Sequence, residues 1–109
     1  MKERTKATQE EKRENRRIAR EYSAALGYSR REIACLVTLW TSESRFDHLA
    51  KPRDSKGRPT SSAFGIAQLL GERSGSPELQ ILHGLRYLGK RYRGSACRAL
   101  RFHNRKGWY

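Results

Sequence analysis

The chain has 109 residues, with 24 Lys and Arg against 11 Asp and Glu, a formal net charge of +13 and an isoelectric point near 10.6. That length suits one domain around one core, and no apolar stretch is long enough to span a membrane. So basic a chain points to an anionic partner, whether nucleic acid, an anionic envelope or an acidic polymer, although charge runs also serve as solvated faces.

Met1 to Arg20 is charged throughout and lacks the apolar core of a secretory signal peptide, so delivery by the general secretion route is not expected. Residues 1–20 hold eight Lys or Arg beside four Glu. Residues 1–8 are read as a flexible basic N-terminus and 9–109 as a single domain. Thr8-Gln9-Glu10-Glu11 has the form of a capping box. The helix it opens carries Ile18, Tyr22, Ala25 and Leu26 on one stripe and stops at Gly27. Ser29-Arg30-Arg31-Glu32 repeats the capping-box pattern, and Ile33, Leu36, Val37 and Trp40 follow at helical spacing.

Glu43 closes that second helix. It follows Leu36 by seven residues, Leu39 by four and Trp40 by three, so it shares the apolar face. A carboxyl group in such a place is desolvated, which raises its pKa, and a carboxylic acid protonated near neutral pH can act as a general acid on a glycosidic bond. A helix-end Glu can also bend out to water. Asp47, one helical turn on, is the nearest second acid and reads as a loop-capping residue.

Residues 47–63 are rich in Asp, Lys, Pro, Ser, Gly and Thr and read as a loop, with a short hairpin near Lys56-Gly57. Phe64 to Leu70 is apolar and reads as a turn followed by a short helix. Ser76-Pro77-Glu78 is a helix start, with an N-cap, a first-turn proline and an acid at the positive helix end. Ile81, Leu85, Leu88 and Tyr92 form its stripe. Gly94 ends it, and Ser95 caps a last helix carrying Cys97, Leu100 and Phe102 or His103. Residues 86–106 hold eight Lys or Arg and no acid. The fold class is therefore mainly α with one irregular or short-hairpin middle segment. Trp40 and Phe64 suit a core, Gln68 could cap a short helix, and Trp108 and Tyr109 could close the end of the core.

Cys35 and Cys97 stand alone, and His48, His83 and His103 are scattered, so zinc-type spacing is absent and neither metal nor cofactor is expected. The cysteines could remain two buried thiols or form one bridge, which would stabilise by roughly 4 kcal/mol in the chain-entropy picture.

Taken in order, Cys35-Leu36, Leu39-Trp40, Glu43-Ser44, Ala63-Phe64-Gly65-Ile66-Ala67-Gln68, Gln80, Gly84-Leu85, Tyr87, Arg91-Tyr92, Cys97, Ala99, His103 and Gly107-Trp108-Tyr109 resemble the lytic transglycosylases of the goose-type lysozyme superfamily, and more narrowly their compact phage-type and secreted domains. A Glu-Ser pair alone is weak; the ordered set over residues 29–109 is specific. The resemblance implies a lysozyme-like α+β fold and an enzyme acting on the glycan strand of peptidoglycan. It implies that Glu43 is catalytic, and that Ser44, Phe64, Gly65, Ile66, Gln68, His103 and Tyr109 bind substrate. It also implies a disulfide between Cys35 and Cys97. A phage virion component that opens the host wall is the expected setting, in contact with other virion proteins; an endolysin released at lysis or a secreted enzyme are the alternatives. Contact with an anionic wall polymer or non-specific contact with DNA would use the basic surface. Three functions compete: transglycosylase or hydrolytic muramidase, nucleic-acid-binding module, and inactive wall-binding domain.

Overall fold

The computed structural model describes residues 4–109. Four helices, α1 (Gln9–Ala25), α2 (Arg30–Ser44), α3 (Pro77–Tyr92) and α4 (Ala96–Lys106), frame one antiparallel pair of two-residue strands, β1 (Ala63–Phe64) and β2 (Leu69–Leu70). The protein is mainly α with a small sheet, as its sequence pattern implies. Among the described residues no helix is long and apolar enough to cross a membrane.

The helices begin where their caps are. Thr8, Ser29, Ser76 and Ser95 each stand in extended backbone and accept from the amide three residues on, satisfying a donor the helix cannot. Thr8 and Glu11 complete a reciprocal capping box. Glu32 does not, contrary to expectation. Its carboxylate instead crosses to α4, accepting from Ser95 Oγ at 2.9 Å and from the Cys97 amide at 3.0 Å. A negative charge at the positive end of a second helix stabilises that helix.

Residues 4–8 are anchored, against the expectation of a flexible terminus. Arg4 pairs with Glu11, Ala7 is buried, and its amide donates to Asp47 Oδ1 at 3.1 Å. Residues 1–3 of that segment lie outside the described residues.

After α2 the chain turns on two successive left-handed residues, Arg45 at φ 56° and Phe46 at φ 62°. Each costs roughly 1–2 kcal/mol for a side chain with a Cβ. The turn swings Phe46 fully inside, edge-on to Trp40 at 6.3 Å between ring centres. Asn15 Nδ2 donates to the Phe46 carbonyl at 2.9 Å, and Arg16 lies over the ring. Burial of a whole phenylalanine, on the order of 2–3 kcal/mol, offsets the backbone strain.

The segment 64–70 corrects another expectation: it is a hairpin, not a turn and short helix. Ala63 pairs with Leu70 and Phe64 with Leu69. The turn between them holds Gly65 at φ 80° and Gln68 at φ 53°, and left-handed residues cannot propagate a right-handed helix. Near Lys56-Gly57 the chain makes a tight turn closed by a single bridge, Arg53 with Pro59.

The core is one cluster in which Leu36, Leu39, Trp40, Ile66, Ile81 and Leu88 are fully buried. Mid-helix Gly84 costs α3 about 1 kcal/mol of propensity. It is required because a Cβ there would stand 2.5 Å from the Trp40 ring. Cys35 and Cys97 form a disulfide between α2 and α4, with their Cα atoms 4.9 Å apart.

Candidate active site

Glu43 sits in the last turn of α2 with its side chain only 15% exposed. Burial pushes its carboxyl up to about 7, because the charged form loses more hydration than the neutral one. His103 approaches from α4, with Nδ1 3.1 Å from Glu43 Oε1. That nitrogen is buried and makes no well-formed hydrogen bond to any described residue. An imidazole nitrogen there can donate to an ionised carboxyl or accept from a protonated one.

Glu43 opens onto a cleft of about 640 Å³. Pro52, Ala63, Gln68, Leu69 and Leu70 line it from the middle segment, and Tyr87, Gly107, Trp108 and Tyr109 from the α3–α4 side. Among the described residues Glu43 supplies the only acidic side chain in that lining. Tyr109 makes the wall rigid. Its hydroxyl accepts from Trp40 Nε1 at 3.0 Å and donates to the Ala67 carbonyl at 2.6 Å. Its main-chain oxygen accepts from Tyr87 at 2.5 Å and Tyr92 at 2.8 Å. Burial raises the Tyr109 phenol far above its ordinary range, so it holds its proton and serves as a fixed strut.

The structure brings Glu43, Gln68 and Tyr109 together in the lining of the cleft and sets His103 beside Glu43 but outside that lining; the rest of the expected set lies away from the cleft. Ser44 is absent from the lining of the cleft: its hydroxyl donates to the Ile66 carbonyl at 2.6 Å, tying α2 to the hairpin turn. Ile66 is a fully buried core residue, and its amide donates to Gln80 Oε1 at 2.9 Å. Gly65 makes room for Gln80, since a Cβ there would lie 2.2 Å from Gln80 Oε1, and it is absent from the lining of the cleft. Phe64 faces a different depression, with Lys51 Nζ above its ring at 5.4 Å. Gln68 donates through Nε2 to the carbonyls of Ala50 and Gly65, at 3.0 and 2.8 Å. Both amide hydrogens are thus committed, and Oε1, which accepts from no described residue, is the group it offers to a ligand.

Asp47 caps the loop as expected. It is buried, and Oδ1 accepts from the amides of Ala7 and Leu49. It takes no part in the lining of the cleft.

The cleft also contains apolar surface that motif reasoning had not assigned to it. Leu70 is 78% exposed and Trp108 53% exposed. Trp108 does not close the core. Its ring packs edge-on to Phe102 at 4.7 Å and carries Arg91 over it at 5.1 Å. A large ring held by two neighbours and left half open is a surface on which a sugar can stack.

No protein-family model, curated protein or solved structure matches the chain.

Proposed function

We propose that this chain is a peptidoglycan lytic transglycosylase, cleaving the β-1,4 bond between N-acetylmuramic acid and N-acetylglucosamine. The observation that carries the reading is one desolvated acidic side chain, Glu43, in a cleft of about 640 Å³ whose other described lining is apolar or aromatic apart from Gln68. Held near 7, Glu43 is protonated often enough at neutral pH to give its proton to the glycosidic oxygen. The oxocarbenium-like centre left on the muramic acid is stabilised by the sugar's own 2-acetamido group. Glu43, now a carboxylate, takes the proton of the sugar's 6-hydroxyl as that oxygen bonds to the anomeric carbon. The product is a 1,6-anhydro sugar, and no water is consumed.

One carboxyl performs both proton transfers. That agrees with Asp47 being buried against Ala7 and Leu49 and absent from the cleft. An inverting hydrolase would need a second carboxylate positioned to activate water. Gln68 Oε1 and the exposed face of Trp108 suit the amide groups and ring faces of the glycan. The ordered motif set and its phage-type resemblance support a virion component acting on the host wall.

Mass spectrometry of purified peptidoglycan after incubation tests this beside Glu43→Gln. Fragments with anhydro ends are expected, lost about 10²- to 10⁴-fold in the variant. Reducing ends would make the enzyme a hydrolytic muramidase. Cleavage that persists unchanged in Glu43→Gln, or no cleavage of any susceptible wall, would overturn the reading.

A further inference from the structure

Two shallow depressions meet at Arg101, and neither shares a residue with the Glu43 cleft. One, of about 440 Å³, has Arg31, Arg93, Arg98 and Arg101 in its lining; the other, of about 360 Å³, has Arg101 and Arg105. Three of these come from α4 at spacings of three and four residues, so they form one stripe down the helix, rising about 5.4 Å per turn. Arg31 joins from the first turn of α2. Arg93 joins from the corner between α3 and α4, where it is held left-handed at φ 54°.

The described residues offer these five guanidinium groups no partners. All five residues are exposed. Among the described residues none of the five side chains makes an ion pair, a hydrogen bond or a ring contact; other exposed arginines such as Arg13 and Arg86 are also unpaired, but these five converge on two adjoining depressions. The one acid in the lining, Glu32, is already committed to Ser95 Oγ and the Cys97 amide. Five like charges along one concave line repel one another, and nothing in the packing of the fold calls for them. Guanidinium is the side chain whose planar fork matches phosphate with two parallel hydrogen bonds.

We propose that this arginine groove binds a linear phosphodiester chain that carries no bases, the chemistry of the polyol-phosphate polymers of bacterial walls. Neither depression has an aromatic ring in its lining, so bases would have nothing to stack on, and stacking is the usual anchor of single-stranded nucleic acid. Duplex DNA, stiff over about 150 base pairs, must be bent to follow a concave line, which a flexible chain does without that cost. A thin polyol-phosphate chain can follow it from Arg31 to Arg105. The groove would hold the protein on the polymer independently of what the cleft cleaves.

The test is fluorescence anisotropy of a labelled poly(glycerol phosphate) chain with the full-length protein across a salt series. The groove variant Arg98→Gln/Arg101→Gln/Arg105→Gln is compared with Lys6→Gln/Arg13→Gln/Arg20→Gln, which removes the same charge from exposed positions elsewhere. Circular dichroism melts check that both fold. The groove variant is expected to bind at least tenfold more weakly, with the log–log salt slope smaller by about two, and the control variant within threefold of the parent. Equal losses in the two variants would reduce the effect to net charge and overturn the proposal. Tighter binding of single-stranded or duplex oligonucleotides of the same charge would overturn it in favour of nucleic acid. Release of fragments from polymer-free peptidoglycan, measured in parallel, reports separately on Glu43: cleavage with no polymer binding sinks the groove alone, and binding with no cleavage sinks the transglycosylase alone.

Discussion

Glu43 is a carboxyl group whose surroundings favour its neutral form, and that has two consequences of opposite use. In the proposed role of general acid it must carry its proton when substrate binds, so kcat/KM should fall tenfold per pH unit above about 7. A pH–rate profile from 5 to 9 checks this, and a rate that stays level to pH 9 would contradict it. The same shift weakens the fold. The native state holds the Glu43 proton up to about 7, while the unfolded chain releases it near 4.5. Between those values the native state binds more protons, so stability falls as pH rises, by up to about 3 kcal/mol. Glu43→Gln removes that penalty. The variant should be more stable than the parent at pH 8 and equal to it below pH 4, as read by urea denaturation at both pH values. The residue could be found in the sequence because its spacing from Leu36, Leu39 and Trp40 is a property of one helix. The roles of Ser44 and Ile66 could not, because their partners lie 22 and 14 residues away in the chain.

At the scale of elements, the hairpin turn is the part of the site most dependent on one neighbour. Gln80, on α3, donates to the carbonyls of His48 and Ser74 and accepts from the Ile66 amide. Its side chain fills the space a Cβ on Gly65 would need. Gly65→Ala therefore adds a clash and a left-handed alanine together, and should cost on the order of 3 kcal/mol or more. Gly27→Ala is the comparison: its φ is 90°, nothing stands within 4 Å of the added methyl group, and the backbone cost alone is roughly 1–2 kcal/mol. Chemical denaturation of the two variants separates packing from backbone strain, and equal losses would refute the Gln80 account. Four helix starts were legible from Thr8, Ser29, Ser76 and Ser95, because a cap is a local arrangement. The hairpin was not, because a short apolar run such as Phe64–Leu70 has the same signature in a buried strand as in a buried helix. What decides it is Gln68 taking a left-handed backbone while its side chain bonds Ala50 and Gly65.

At the scale of the molecule, α2 and α4 are the two elements that matter most, and the disulfide joins them across 62 positions of sequence. Reduction should lower stability by about 4 kcal/mol, seen as a lower thermal midpoint with a thiol reductant than without, and an unchanged midpoint would count against a bridge that stabilises the fold. The two helices also meet a second time, at Glu43 and His103. Cys35 precedes Glu43 by eight residues and Cys97 precedes His103 by six, so the helices run side by side in the same direction, about 12 and 9 Å from bridge to site. The bridge is then a pivot and the helices two arms. A splay of about 5° at the pivot opens the far end by about 1 Å, and a displacement of that size can cost on the order of 100-fold in rate. The cross-link thus acts as a gauge as well as a fastener: it sets the gap between the acid and its imidazole neighbour from two turns away, where no substrate touches it.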